Sequence, residues 1–154
     1  MDIKYINPFI DAVNNIFPQF GMSDIKRNSI SLKGKDIKSP GVVIMLGLIG
    51  DIRGNVIYSI NSKDAMSIAS VMMMGANVDS FDEIAQSAVS ELTNMLTATA
   101  ASVFSNIGIN INISTPTLVY GEFVATVSTE KTICVEMLIN GISLEINIAM
   151  EKFM

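Results

Sequence analysis

Between Val42 and Ile49 the chain is almost continuously apolar, and no other feature constrains its fold as strongly. Even counted from Gly41, the run is far short of the roughly 20 residues that a membrane-spanning helix needs. It reads as a central strand of a sheet. The segment Gly50-Asp51-Ile52-Arg53-Gly54 that follows carries turn residues, and Asn55 to Ile60 reads as a second strand, so the pair forms a hairpin. Apolar residues make up 49% of the 154-residue chain, and its mean hydropathy is +0.45. With no membrane span to absorb it, that excess belongs in a dense core, an interface, or both. The start, Met1-Asp2-Ile3-Lys4, has no basic stretch leading into an apolar one, so no signal peptide is expected. The length fits one domain, residues 1–154.

What the chain lacks restricts its chemistry. It contains no His, no Trp and one Cys, Cys134. Without His, every Ser-His or Cys-His nucleophile pair and every His-ligated metal is excluded. A single Cys excludes intrachain disulfides and Cys-rich zinc sites, and it suits a reducing cytoplasm. Any catalysis must use carboxylates, hydroxyls, amides or the groups of a partner. With 10 basic and 15 acidic residues the net charge is −5, so a nucleic-acid backbone is a poor partner. The basic residues Lys26, Arg27, Lys33, Lys35 and Lys38 read as the solvated edge of a hairpin.

Along the chain, Asn7 reads as a helix cap with Pro8 at the first helical position. Phe9, Ala12, Val13, Ile16 and Phe17 form the core face of that helix, which Pro18 and Gly21 end. Ile25 to Leu32 reads as a strand. Ser62 is the expected cap of a helix from Lys63 to Met74, with Gly75 as its stop and Met72 to Met74 as flexible core filling. Ser80 and Glu83 have the spacing of a capping box for the longest helix, which runs to about Asn106. The remaining strands are expected at Asn110 to Val119, Phe123 to Ser128, Lys131 to Ile139 and Ser143 to Met150. Asn140-Gly141 is a type I′ hairpin signature between the last two. Helix then strands, twice over, hints at an internal pseudo-repeat.

The long helix carries the functional signal. At about 100° per residue, Ala85, Ala88, Leu92, Met95, Leu96, Thr99 and Val103 share one arc, the expected core face. Ser87, Glu91 and Asn94 fall at i, i+4 and i+7 in a polar row that Ala98 continues. The outer face is otherwise uncharged: Ser90, Thr93, Thr97, Ala98, Ala101 and Ser102. Glu91 is the only ionised group between Glu83 and Glu122. Solvated helices usually carry more charge, which makes the row a candidate site.

Ile6-Asn7-Pro8-Phe9, the segment Gly47 to Val56, Ala69 to Gly75, Ser87-Ala88-Val89-Ser90-Glu91-Leu92-Thr93-Asn94, Gly108 to Ile111 and Thr115-Pro116-Thr117 resemble the CheX type within the CheC/CheX/FliY family of chemotaxis phosphatases. The family motif is Asp or Ser, Glu four residues on, Asn three further, and a downstream Pro, here Pro116. The long CheC form carries two copies, whereas the first helix of this chain lacks a Glu-x-x-Asn pair. The resemblance implies an α/β (α+β) fold with a CheC-like mixed β-sheet covered by two long helices plus an N-terminal helix. It implies hydrolysis of the aspartyl phosphate of a CheY-type response regulator, with Asn94 and Glu91 as catalytic residues. Asn94 would orient the attacking water, and Glu91 would dock by pairing with the regulator's active-site Lys. Ser87 and Ala98 would be further partner contacts. No metal or cofactor of its own is implied, since Mg²⁺ comes with the regulator. The family also implies a homodimer joined through edge strands. The competing reading is a non-catalytic docking module like the FliM middle domain, in which Glu91 and Asn94 are ordinary surface groups.

Overall fold

The computed structural model describes residues 3–126 and 132–152. The apolar run becomes β3 (Gly41–Gly50), which pairs along its length with β4 (Ile52–Asn61). Before this hairpin come α1 (Asn7–Ile16), β1 (Ile25–Lys33) and β2 (Asp36–Lys38). After it come α2 (Ser62–Met72), α3 (Glu83–Asn106), β5 (Ile111–Ile113), β6 (Thr117–Gly121), β7 (Val124–Thr126), β8 (Thr132–Ile139) and β9 (Ile142–Lys152). The main sheet runs β1-β8-β9-β4-β3-β5, with β6 following β5 along the same side of β3. Every pairing among the described strands is antiparallel, so the sheet is not mixed.

One face of the sheet packs against the helices. Val42, Ile44, Leu46 and Leu48 of β3 meet Phe9 and Val13 of α1, Ala65 and Ile68 of α2, and Leu92, Leu96 and Phe104 of α3 in one core. Tyr5 and Phe9 both pack their rings on Phe104, each with centroids 6.0 Å apart. The opposite face is covered in part by the β2–β7 ribbon, where Ile37 and Phe123 pack on Val43, Ile57 and Ala149. Cover on both sides explains why Val42, Val43 and Ile44 are all buried, and hence why β3 does not alternate. β1 lies at the edge of the sheet, and its exposed Lys26 and Arg27 are the kind of residues that protect an edge from pairing with another chain.

The pairing scheme has an internal two-fold. Exchanging α1 with α3, β1 with β5–β6, β2 with β7, β3 with β8 and β4 with β9 leaves every strand pairing in place. Under this exchange the β4–β9 and β2–β7 pairs map onto themselves, as does the contact of α1 with α3. Among the described α-helices and strands, only α2 has no counterpart. The pseudo-repeat hinted at by element order is therefore present in the sheet.

Several local details differ from the sequence reading. Asn7 lies inside α1 and makes no cap bond, and the chain enters the helix through a 3-10 turn at Ile3–Ile6. The cap of α2 is Asn61, not Ser62: its side chain accepts from the Asp64 N–H at 2.8 Å. That helix ends at Met72, and Met74, with φ of 61° and 97% exposure, fills no core. The cap of α3 is Asp82, not Ser80, and it accepts from the Ala85 N–H at 2.9 Å. β4 starts three residues early, so the β3–β4 turn shrinks to Asp51. The strand expected from Asn110 to Val119 breaks into β5 and β6 around Pro116, which has no N–H for a ladder. Residues 127, 128 and 131, assigned to strands from the sequence, lie outside the described residues. Asn140 and Gly141 turn at φ of 49° and 82°, the two positive values that a type I′ turn requires.

Candidate functional site

α3 carries the site, and its rotation decides which residues reach solvent. Its buried side is Ala85, Val89, Leu92, Thr93, Leu96, Thr97, Ala100 and Phe104. Ala88, Met95, Thr99 and Val103, expected in the core, are only half-buried. The core stripe is therefore turned toward Thr93 and Thr97, which had been placed outside. Threonine can occupy such positions because its hydroxyl bonds back to its own helix. Thr93 Oγ1 donates to Ser90 O at 2.8 Å, and Thr97 Oγ1 donates to Thr93 O at 2.7 Å. Tyr58 of β4 lies 2.8 Å from Thr97 Oγ1. The single Thr97 proton is directed at Thr93 O, so Tyr58 is the donor in this pair. Complete burial pushes the Tyr58 phenol far above its ordinary pKa, which keeps it protonated for that role.

With α3 anchored this way, the polar row faces out. Ser87, Glu91 and Ala98 are exposed and Asn94 is half-buried. Ser87, Glu91 and Asn94 line a groove of about 610 Å³, together with Glu83, Gln86 and Ser90 of the same helix. Thr115, Pro116 and Leu118 form the facing wall. Ala98 is outside this lining. Sequence reasoning brought Pro116 to the site but missed Gln86 and Leu118, whose only signal is position beside the row. The groove holds two carboxylates and no basic residue, so it suits a cation on an incoming surface. Among the described residues, neither the Glu91 nor the Asn94 side chain has a hydrogen-bond or ionic partner within the protein. Both are therefore available to a partner, and they are separated by about 4.5 Å of helix rise.

The two-fold places α1 opposite α3, and α1 offers a partial echo of the row. Asn7, Asp11 and Asn14 have the same spacing, and all three are exposed. Its carboxylate is one methylene shorter than that of Glu91. Among the described residues, no group of three or more His, Cys, Asp or Glu side chains could hold a metal ion, and no helix is long and apolar enough to cross a membrane.

Comparison with known proteins identifies the family. The family model for chemotaxis phosphatase CheX matches residues 42–138. The CheY-P phosphatase CheX of Thermotoga maritima is 38% identical over 121 residues, 79% of this chain and 78% of the relative. The fold superposes on the CheX crystal structure from Desulfovibrio desulfuricans with a TM-score of 0.85 at 20% identity, covering 97% of this chain and all of that one. The CheX of the CheX–CheY–BeF3–Mg²⁺ complex from Borrelia burgdorferi superposes with a TM-score of 0.72 at 24% identity, covering 97% of this chain and 99% of that one. The chain belongs to the chemotaxis phosphatase CheX family.

Proposed function

We propose that this protein removes the phosphoryl group from the phospho-aspartate of a CheY-type response regulator, using Asn94 and Glu91 on α3. Family membership supports the reaction. The single observation that carries the residue roles is the outward row of Ser87, Glu91 and Asn94 along one groove, with Glu91 and Asn94 unpaired among the described residues.

In the reaction a water oxygen attacks phosphorus in line with the bond to the aspartate oxygen. That bond breaks, the aspartate carboxylate leaves, and inorganic phosphate carries the water oxygen. Phosphoryl transfer of this kind is limited mainly by positioning and charge. Asn94 contributes position: its carboxamide oxygen accepts a hydrogen bond from the water and holds it in line. An amide does not titrate in this range, so Asn94 is not a general base. Glu91 docks on the regulator's active-site Lys and fixes α3 against the phosphoryl site, while Ser87 and Ala98 add close contacts. Mg²⁺ and the electrophile arrive with the regulator, a reading supported by the presence of CheY, BeF3 and Mg²⁺ together in the Borrelia complex. The protein acts in the cytoplasm as a homodimer, through an edge strand left open by the sheet.

The test is the decay of a phosphorylated CheY-type regulator with and without this protein. Wild type accelerates decay, and Asn94→Ala abolishes the acceleration while its circular dichroism stays native. Asn14→Ala, at the matching position on α1, retains full activity. An active Asn94→Ala protein refutes the assigned role.

A further inference from the structure

The groove wall facing α3 is an interrupted sheet edge. β5 pairs with β3 as far as Ile113 opposite Leu48, and β6 rejoins β3 at Thr117 opposite Met45. Between these points Leu46 and Gly47 stand opposite Ser114, Thr115 and Pro116, so the edge strand carries one residue too many. Ser114 closes the gap. Its N–H donates to Gly47 O at 3.0 Å, and its Oγ accepts from the Gly47 N–H at 2.7 Å. The same hydroxyl donates to Thr115 O at 3.1 Å. One side chain thus completes the pairing of Gly47 and also holds the carbonyl of the residue that starts the groove wall.

We infer that Ser114 is a positioning residue for the phosphatase groove: its hydroxyl sets the direction in which Thr115 and Pro116 face Glu91 and Asn94. The inference rests on the function proposed above. Ser114 itself is outside the groove lining, so it acts through the wall and not on the substrate. It is also exposed. Water can therefore take its place on the Gly47 N–H, and loss of the hydroxyl leaves folding stability nearly unchanged. What water does not reproduce is the fixed direction of the wall, and misplacement by about 1 Å costs on the order of 10²-fold where a reaction depends on alignment.

The experiment compares wild type, Ser114→Ala and Ser114→Thr for kcat and KM on the phosphorylated regulator, for urea midpoint, and for amide exchange at Gly47. Ser114→Ala is expected to lose about tenfold or more in kcat/KM with an unchanged midpoint and faster exchange at the Gly47 amide. Ser114→Thr keeps the hydroxyl and restores activity. Wild-type kcat/KM in Ser114→Ala overturns the inference, as does a threonine variant no better than alanine. An activity loss that only tracks a fall in the midpoint also overturns it, because that is a folding effect. A wild-type protein that leaves regulator decay unchanged refutes the proposed function first, and this inference with it.

Discussion

The hydrogen bond between Tyr58 and Thr97 makes a prediction that depends on which atom donates. Tyr58 is fully buried, and its proton goes to Thr97 Oγ1, whose own proton goes to Thr93 O. Tyr58→Phe removes one buried hydrogen bond but leaves Thr97 still donating to its helix, so no polar atom is orphaned. The expected cost is about 1 kcal/mol. Thr97→Val is nearly isosteric and similar in helix propensity, but it strands the Tyr58 hydroxyl in the core. Thr93 O keeps its ordinary helical N–H partner, so the stranded phenol is the main loss, worth about 2 kcal/mol within a range of roughly 1–3. The double variant removes both polar groups together, and its cost should return to about that of Tyr58→Phe. For a domain of this size 1 kcal/mol moves the melting temperature by about 2–4 °C. Urea unfolding followed by far-UV circular dichroism resolves these differences, and it suits a chain without Trp. If Thr97→Val proves milder than Tyr58→Phe, the donor assignment is wrong. If the double variant costs the sum of the two singles, the pair is not coupled and α3 is not anchored this way.

Glu91→Gln should raise KM for the phosphorylated regulator by about tenfold and reduce its salt dependence, with a smaller effect on kcat; unchanged kinetics would remove Glu91 from docking. Hydrogen bonds from the Asn28 amide and the Ser143 hydroxyl hold the Glu136 carboxyl below its ordinary value of 4.5. A depressed carboxyl stabilises the folded state above its unfolded pKa and stops doing so as pH falls through its folded value. The stability advantage of wild type over Glu136→Gln should therefore be present at pH 7 and shrink as pH falls below the ordinary carboxyl range, as read from urea midpoints. Burial first, then the nearby Glu145 carboxylate, push the Cys134 thiol up, so Cys134 should react with a thiol reagent at neutral pH only after unfolding. Light scattering at micromolar concentration should return a dimer, and a clean monomer would remove the joined-sheet reading.

Much of the fold was legible because its signals are local. The unbroken apolar stretch of β3 and the Asn140-Gly141 turn need no tertiary knowledge. The row of Ser87, Glu91 and Asn94 was legible for the same reason, since helix periodicity alone puts three residues on one line. What was missed depends on distant partners. Thr93 and Thr97 look like surface residues until packing turns them inward, where both hydroxyls bond back to their helix and Tyr58 reaches Thr97. The break at Pro116 becomes a groove wall where Ser114 bridges it to Gly47, a partner distant in sequence. Asp82 displaced Ser80 as the cap because both are good capping residues, and a shift of two residues is within what local pattern can resolve.

The internal two-fold has a consequence for how the chain reaches its structure. The halves are interleaved and do not sit side by side: β1 from the first half pairs only with β8 of the second, and β6 of the second pairs only with β3 of the first. Neither half can complete its sheet alone, so β1 must wait for about a hundred further residues before it has a partner. Folding should be slow for this size, because distant pairing has to precede its stabilisation. The same interleaving lets a second chain supply the missing half, since every inter-half pairing within one molecule can be remade between two. A tangled dimer with exchanged halves is thus the misfolded product to look for when the protein is refolded at high concentration.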